Sequence, residues 1–275
     1  MSLETALALI ESVKDYRVLL VGDTIIDEYH YVTPLDMAAK EYLIPVRFGR
    51  KEQFLGGVDA AAAHLKTFCA RVDIASAGKA ARKVRFLDEN YLRKLFEVHY
   101  GDGSGARPWP NLGDYDCVIA ADFGQGEIKE ASAVEGAKFL AVSTQTNSAN
   151  RGFNLITKYP RADYVVIDEP EARLAAADQH GHLEDVIHKL AHGRCERFVV
   201  THGKHGAYGY DRGRFSHRKT HTDLVRDTMG AGDAFFAITA PMAKHGEMDD
   251  LLRIGNAAGA LKCNIVGHRA SVTKE

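Results

Sequence analysis

The chain has 275 residues, 45% of them hydrophobic and 26% charged, with a formal net charge of −2. A chain of that length buries a substantial core without disulfides or a structural metal, and its near-balanced charge gives no basic field to draw nucleic acid or an anionic membrane. Cys69, Cys117, Cys195 and Cys263 lie far apart with no CxxC pair, which fits reduced packing thiols and a cytoplasmic protein.

In chain order, residues 1–16 read as an amphipathic helix with no basic n-region or cleavage site, and no apolar stretch is long enough to span a bilayer. Arg17–Gly22 (RVLLVG) has the look of a fully buried parallel strand. Glu28–Val32, Tyr42–Phe48 and Glu52–Leu55 are short, aromatic or β-branched, and broken by Pro34 and Pro45; they predict strands of a separate small sheet. Gly56-Gly57 opens an alanine-rich helix, followed by the strand RVDIASAG. Lys83–Leu87 and Lys94–Tyr100 join the small sheet, and GDGSGARPWPNLGD is a loop. Strands at Cys117–Ala121, Phe139–Ser143, Tyr164–Ile167 and Arg197–Thr201 then alternate with helical or loop segments, which argues for a mostly parallel sheet flanked by helices. Ala231–His245 and Met248–Cys263 read as two final helices.

The segment DTMGAGDAFF, from Asp227 to Phe236, places a Gly-Ala-Gly turn at the start of an apolar helix with Asp233 in its first turn. Small residues there leave backbone N–H groups pointing outward at the positive end of the helix dipole, which makes an anion site. A phosphoryl group in transfer needs such donors, and a carboxylate beside them can take the proton of an attacking hydroxyl. The simpler alternative, a helix-start aspartate after a glycine turn, accounts for Gly-x-Gly-Asp alone but not for the whole string.

That string resembles the C-terminal signature of the PfkB (ribokinase-like) carbohydrate kinases. Further resemblances follow in family order: Gly22-Asp23-Thr24-Ile25-Ile26-Asp27 to the first strand and sugar-contacting acid, Gly56-Gly57 to the diglycine, Asp168-Glu169-Pro170-Glu171 to N-x-x-E, and Thr201-His202-Gly203 to T-x-G. Within the family, GDTIIDEYHYV and Asp122-Phe123-Gly124-Gln125-Gly126 are most similar to the heptose-7-phosphate kinase domain of ADP-heptose synthesis enzymes.

The resemblance implies an α/β ribokinase-like three-layer sandwich over residues 1–275, with a mostly parallel sheet and lid strands within 28–55 and 83–100. It implies Asp233 as general base and the N–H groups of Gly230, Ala231 and Gly232 as the anion hole. Asp27, with Asp23, Gly56 and Gly57, would face the substrate, Thr201, Gly203 and Asn256 would face ATP, and Asp168 with Glu171 would orient the water shell of Mg²⁺. The partners implied are a sugar or sugar phosphate and a second subunit paired through the lid, with neither nucleic acid nor membrane.

Five features depart from the pattern. Val58-Asp59 stand where the family carries Asn, Asp168 replaces the Asn of N-x-x-E, Gln125 replaces a lysine, and Ser143-Thr144-Gln145-Thr146 replace Asp-Pro-Lys. After RVDIASAG the chain passes almost directly to KAARKVRF, roughly thirty residues shorter than such domains usually run. Asn147, Asn150 and Asn154 are candidates for replacement substrate contacts, the alternative being that they stabilise turns.

Lys79, Arg82, Lys83 and Arg85, with Arg93-Lys94, form a basic cluster that either clamps a sugar phosphate or makes a solvated face. His217 and His221, in an alternating strand, would stand roughly 13 Å apart, too far to share a zinc, and His202 and His205 have no cysteine near them. GDGSG is followed by Ala-Arg-Pro-Trp-Pro, which cannot open a dinucleotide-binding helix, and no Walker motif occurs. The function expected is an ATP-dependent kinase of a sugar or sugar phosphate. The alternatives are a relative that binds nucleotide or sugar without turnover, or a kinase of nucleosides or other small alcohols.

Overall fold

A computed structural model of the chain describes residues 3–36, 41–76, 79–101, 108–220 and 225–274. The elements in order are α1 (Leu3–Glu11), β1 (Arg17–Gly22), β2 (Thr24–Pro34), β3 (Val46–Gly57), α2 (Val58–Leu65), β4 (Arg71–Ala75), β5 (Ala81–Asp88), β6 (Lys94–Tyr100) and β7 (Cys117–Asp122). They continue as β8 (Leu140–Thr144), β9 (Tyr164–Asp168), α3 (Glu169–Ala176), α4 (Leu183–Ala191), β10 (Arg197–Thr201), β11 (Ala207–Asp211), β12 (Arg214–Arg218), α5 (Ala231–Met242) and α6 (Met248–Cys263).

Eight strands make one sheet in the order β12-β11-β10-β9-β8-β7-β1-β4. From β10 to β4 every pairing is parallel, and β11 and β12 add an antiparallel edge. Alternate residues feed opposite layers. Val18, Leu20, Ile119, Val166 and Val199 pack with α2, α5 and α6, while Leu19, Val21, Val118, Val165, Phe198 and Val200 pack with α3 and α4. Both faces are covered, and this is why β1 and β7 read as unbroken apolar runs.

The connections from β7 to β8 and from β8 to β9 differ from the expected βαβ alternation. They carry short 3-10 turns at Ala131–Val134 and Ile156–Lys158 rather than α-helices. Gly124, Gly126 and Gly136 interrupt any helical run in the first, yet Ile128, Val134, Ile156 and Tyr159 still cover that face of the sheet. The last turn of α5 contains Pro241 and the helix ends at Met242 rather than His245.

The small sheet, in the order β3-β2-β5-β6, is mixed: β2 runs parallel to β5 and antiparallel to β3. The short strands expected from the sequence are the two long strands β2 and β3, paired from Thr24–Gly57 to Pro34–Val46 with one irregularity at Tyr31/Val32. This sheet grows directly out of the large one, since β1 runs into β2 through Asp23 and β3 runs into α2 through Gly57. Gly57 has φ +61°, and a Cβ there would lie 2.2 Å from the Asp23 carbonyl oxygen, so the crossing of the two sheets requires glycine. Among the described residues no helix or strand lies between β4, the edge of the large sheet, and β5.

Among the described residues the four cysteines are unpaired, and no helix is long and apolar enough to cross a membrane. His221 and residues 102–107, named above in the histidine pair and the glycine-rich loop, lie outside the described residues.

Gly22 is a point of close backbone approach between β1 and β7. A Cβ there would sit 2.0 Å from the Ala121 carbonyl oxygen of β7. Gly22→Ala must therefore push β1 from β7, and we expect a loss of about 2–3 kcal/mol in urea unfolding with an unchanged m-value.

Candidate active site

Strand β1 pairs with β4 on one side and β7 on the other. Successive strands are therefore added on opposite sides of β1, and in open α/β sheets such switch points open crevices at the carboxyl ends of the strands. A cleft of about 780 Å³ lies there. Its floor comes from Ala121–Phe123, Ser143–Gln145 and Ile167–Asp168, one wall from the small sheet, and the other from residues 228–233 and α6.

Helix α5 points its first turn at this cleft. Gly230 caps it in the left-handed conformation, φ +74°. The Ala231 N–H donates weakly to the Thr228 carbonyl at 3.3 Å, whereas the N–H groups of Gly230, Gly232 and Asp233 have no acceptor among the described residues. The open donors therefore differ by one from the expected set: Asp233 contributes its own amide, and Ala231 is partly committed to the preceding turn. A Cβ at Gly232 would meet nothing within 4 Å, so that backbone is open to a ligand. The Asp233 carboxyl accepts no hydrogen bond from the described residues. Burial raises its pKa, and His268 and Lys262 oppose the shift.

Asp27 stands across the cleft on β2, 5% exposed. Arg85 of β5 binds it at close range and His268 lies 3.4 Å away. Burial pushes the Asp27 carboxyl upward, but the His268 and Arg85 contacts outweigh it and hold the group below the usual carboxylate range. A Cβ on Gly56 would fall 2.3 Å from Asp27 Oδ2, so Gly56 makes room for this network. Gly57 lines the cleft directly.

Strand alternation divides the basic cluster. Lys83 and Arg85 face the cleft together with Lys94, whereas Arg82 turns to the other face and pairs with Glu28 at 2.6 Å. Arg85 is held by Asp27 and, at 2.9 Å, by Glu97. Lys83 and Lys94 make no hydrogen bond or ion pair with the described residues, and burial lowers the pKa of Lys83. His268 was invisible to the sequence reading. It lies in an unpatterned tail after α6, and only tertiary folding brings it to Asp27.

Besides Gly56, two more expected substrate residues, Asp23 and Asn147, lie off the cleft wall. Asp23 is 2% exposed and accepts N–H bonds from Gln125 at 3.1 Å and Glu127 at 2.8 Å, so it closes the turn after β7. Asn147 donates to the Phe123 carbonyl at 2.9 Å and accepts from the Ala149 and Asn150 amides. Asn150 and Asn154 are likewise spent on the Gln145 and Asp122 carbonyls. These three asparagines build the loop.

Thr201, Gly203 and Asn256 line the far end of the cleft. Asn256 donates to the Arg218 and Lys219 carbonyls and so fixes the end of β12 there. Asp168 and Glu171 form a reciprocal capping box: Asp168 Oδ1 accepts the Glu171 N–H at 2.8 Å and Glu171 Oε2 accepts the Asp168 N–H at 2.9 Å. Glu171 Oε1 also accepts from Thr146 at 2.9 Å. Burial and the Asp168 charge push the Glu171 carboxyl up to about 8. Among the described residues no three His, Cys, Asp or Glu side chains cluster as a metal cage.

Comparison with known proteins identifies the family and the fold. Residues 107–275 match the model of the pfkB family carbohydrate kinases, and the chain belongs to that family. It is 24% identical to the bifunctional protein HldE of Bradyrhizobium diazoefficiens, covering 98% of this chain and 63% of that protein. It is 25% identical to the D-beta-D-heptose 7-phosphate kinase of Bordetella bronchiseptica, covering 94% of each. The chain thus spans about three fifths of the length of its bifunctional relatives. The structure of Arabidopsis thaliana ribokinase complexed with ribose and ATP superposes with a TM-score of 0.67 at 15% identity, over 92% of this chain and 94% of that one. The fold is ribokinase-like.

Because Asp27 has a depressed pKa, its contribution to stability is present above the unfolded value of about 4 and is lost as pH falls through the lower folded value. Asp27→Asn should cost about 3 kcal/mol at pH 7, by leaving Arg85 without its buried partner. It should also flatten the acid limb below about pH 4. Urea midpoints measured from pH 3 to 7 check both.

Proposed function

We propose that the protein is an ATP-dependent kinase that phosphorylates a hydroxyl of a sugar or sugar phosphate. The observation that carries this is the first turn of α5, where open amides and an unbonded carboxylate face the same cleft. Asp233 takes the proton of the acceptor hydroxyl, and the Gly230, Gly232 and Asp233 amides stabilise the charge on the phosphoryl group. Asp27 and Gly57 face the acceptor, while Thr201, Gly203 and the end of β12 held by Asn256 face the nucleotide. The small sheet acts as a lid on one domain spanning 1–275 and excludes water from the acceptor.

The residues present fit a magnesium ion that arrives with the nucleotide. Asp168 is solvent-exposed with Oδ2 uncommitted, and magnesium keeps several waters while binding through one or two carboxylates and phosphates. Asp168 and Glu171 would hold it through that water shell, and the ion would supply neutralisation of phosphate charge.

Lys83 and Lys94 favour an anionic acceptor, since two cations without bonded partners on the lid wall suit a sugar phosphate better than a neutral sugar. The relative named a heptose 7-phosphate kinase points the same way. The outer face of the lid carries an aromatic row, with Phe86 stacked on Phe96 and His30 edge-on to Phe48 and Phe86. This face suits pairing with a second copy, and a monomer by light scattering would count against it.

The kinase reading is tested by ADP release over a panel of hexoses, heptoses, their phosphates and nucleosides. Turnover on a sugar or sugar phosphate is expected, and Asp233→Asn should reduce kcat by at least about 10²-fold with folding intact by circular dichroism. Nucleotide binding without turnover on any acceptor would overturn it in favour of a binding protein. Lys94→Gln should raise KM roughly tenfold for phosphorylated sugars, a loss of about 1.4 kcal/mol, and leave KM for neutral sugars unchanged.

A further inference from the structure

We infer that Lys262 is a positioning residue for the phosphoryl-transfer site, a built-in cation that ties together the two turns behind the first turn of α5 without help from a dissolved ion. This rests on the kinase reading above. Lys262 lies in the last turn of α6 and is fully buried. Its Nζ donates to the carbonyls of Gly267 at 2.6 Å, Met229 at 2.8 Å and Ile265 at 3.4 Å. An ammonium has three donors, so all are spent on backbone.

Those carbonyls come from separate stretches, one entering α5 and one leaving α6. Asp227 spans the same stretches from the opposite side. Its Oδ1 accepts the Met229 N–H at 3.1 Å and its Oδ2 accepts the Gly267 N–H at 2.9 Å. Lysine and aspartate together clamp residues 227–230 to residues 265–267. The first fragment carries the cap of α5, and the second leads into His268, the partner of Asp27. Gly230 is moulded to the clamp, since a Cβ there would lie 3.2 Å from both Lys262 Cε and His268 Cε1.

A buried ammonium without a hydrogen-bonded carboxylate is costly. It persists here on a set of backbone carbonyls, the donor type that replaces the hydration shell of a monovalent cation. A tethered –NH₃⁺ fills that place permanently, so the open amides of Gly230, Gly232 and Asp233 are aimed before any ligand arrives. Preorganisation of this kind stabilises charge that develops in transfer.

The test compares wild type with Lys262→Met, which removes the charge and, being one atom shorter, leaves room for an ammonium ion where Nζ stood. Wild-type ADP release should be equal within twofold in sodium, potassium and choline chloride. The variant should lose roughly 10²-fold in kcat, with acceptor KM within twofold, and ammonium chloride should restore at least tenfold of the lost rate. In thermal melts, ammonium should stabilise the variant relative to choline and leave wild type unmoved. Activation of wild type more than fivefold by potassium over choline, or a variant with wild-type kcat, would overturn the inference. If the variant does not fold, the wild-type salt comparison decides. If wild type turns over no acceptor, the kinase reading fails by itself, and the ammonium-dependent melt of the variant then decides the clamp alone.

Discussion

The central strands of the large sheet are covered on both faces, and this constraint organises the molecule. Helices α2, α5 and α6 close one side, while α3, α4 and the short 3-10 turns close the other. With both faces dry, polar chemistry is driven to the carboxyl ends of the strands, where backbone turns supply its hydrogen bonds. β1 and β7 come close at Gly22 and Ala121, and the cleft opens at the carboxyl ends of these two strands.

Around that cleft most polar side chains brace the walls. Asp23 holds the turn after β7, the asparagines hold the 145–154 loop, and Glu171 holds the start of α3 and the Thr146 amide. Groups that remain unspent stand out against this background: the amides at the first turn of α5, the carboxylate of Asp233, and the cations of Lys83 and Lys94. These are the groups that a ligand in the cleft can bond to without breaking a bond within the protein.

Asp27 and Lys262 show two ways of keeping a buried charge. Asp27 is held by Arg85 and His268 from two other elements, which joins strand β5 to the tail carrying His268. Lys262 is held by carbonyl dipoles, which joins that same tail to α5. The C-terminal segment after α6 thereby couples both sides of the cleft.

The local patterns in the sequence determined the buried strands, the glycine-opened helix at Ala231 and the family string around Asp233, because each is encoded in residues adjacent along the chain. Alternation along β5 also allows Lys83 and Arg85 to be grouped apart from Arg82. Composition could not tell that Asp23 and Asn147 face inward to turns, since carboxylates and amides serve a backbone N–H or a substrate hydroxyl equally well. Nor could it reveal His268 beside Asp27 or Lys262 beneath Gly230, pairs separated by long stretches of chain. Those contacts exist only once the switch point, the lid and the tail after α6 are assembled, and their energy comes from burial that no local segment possesses.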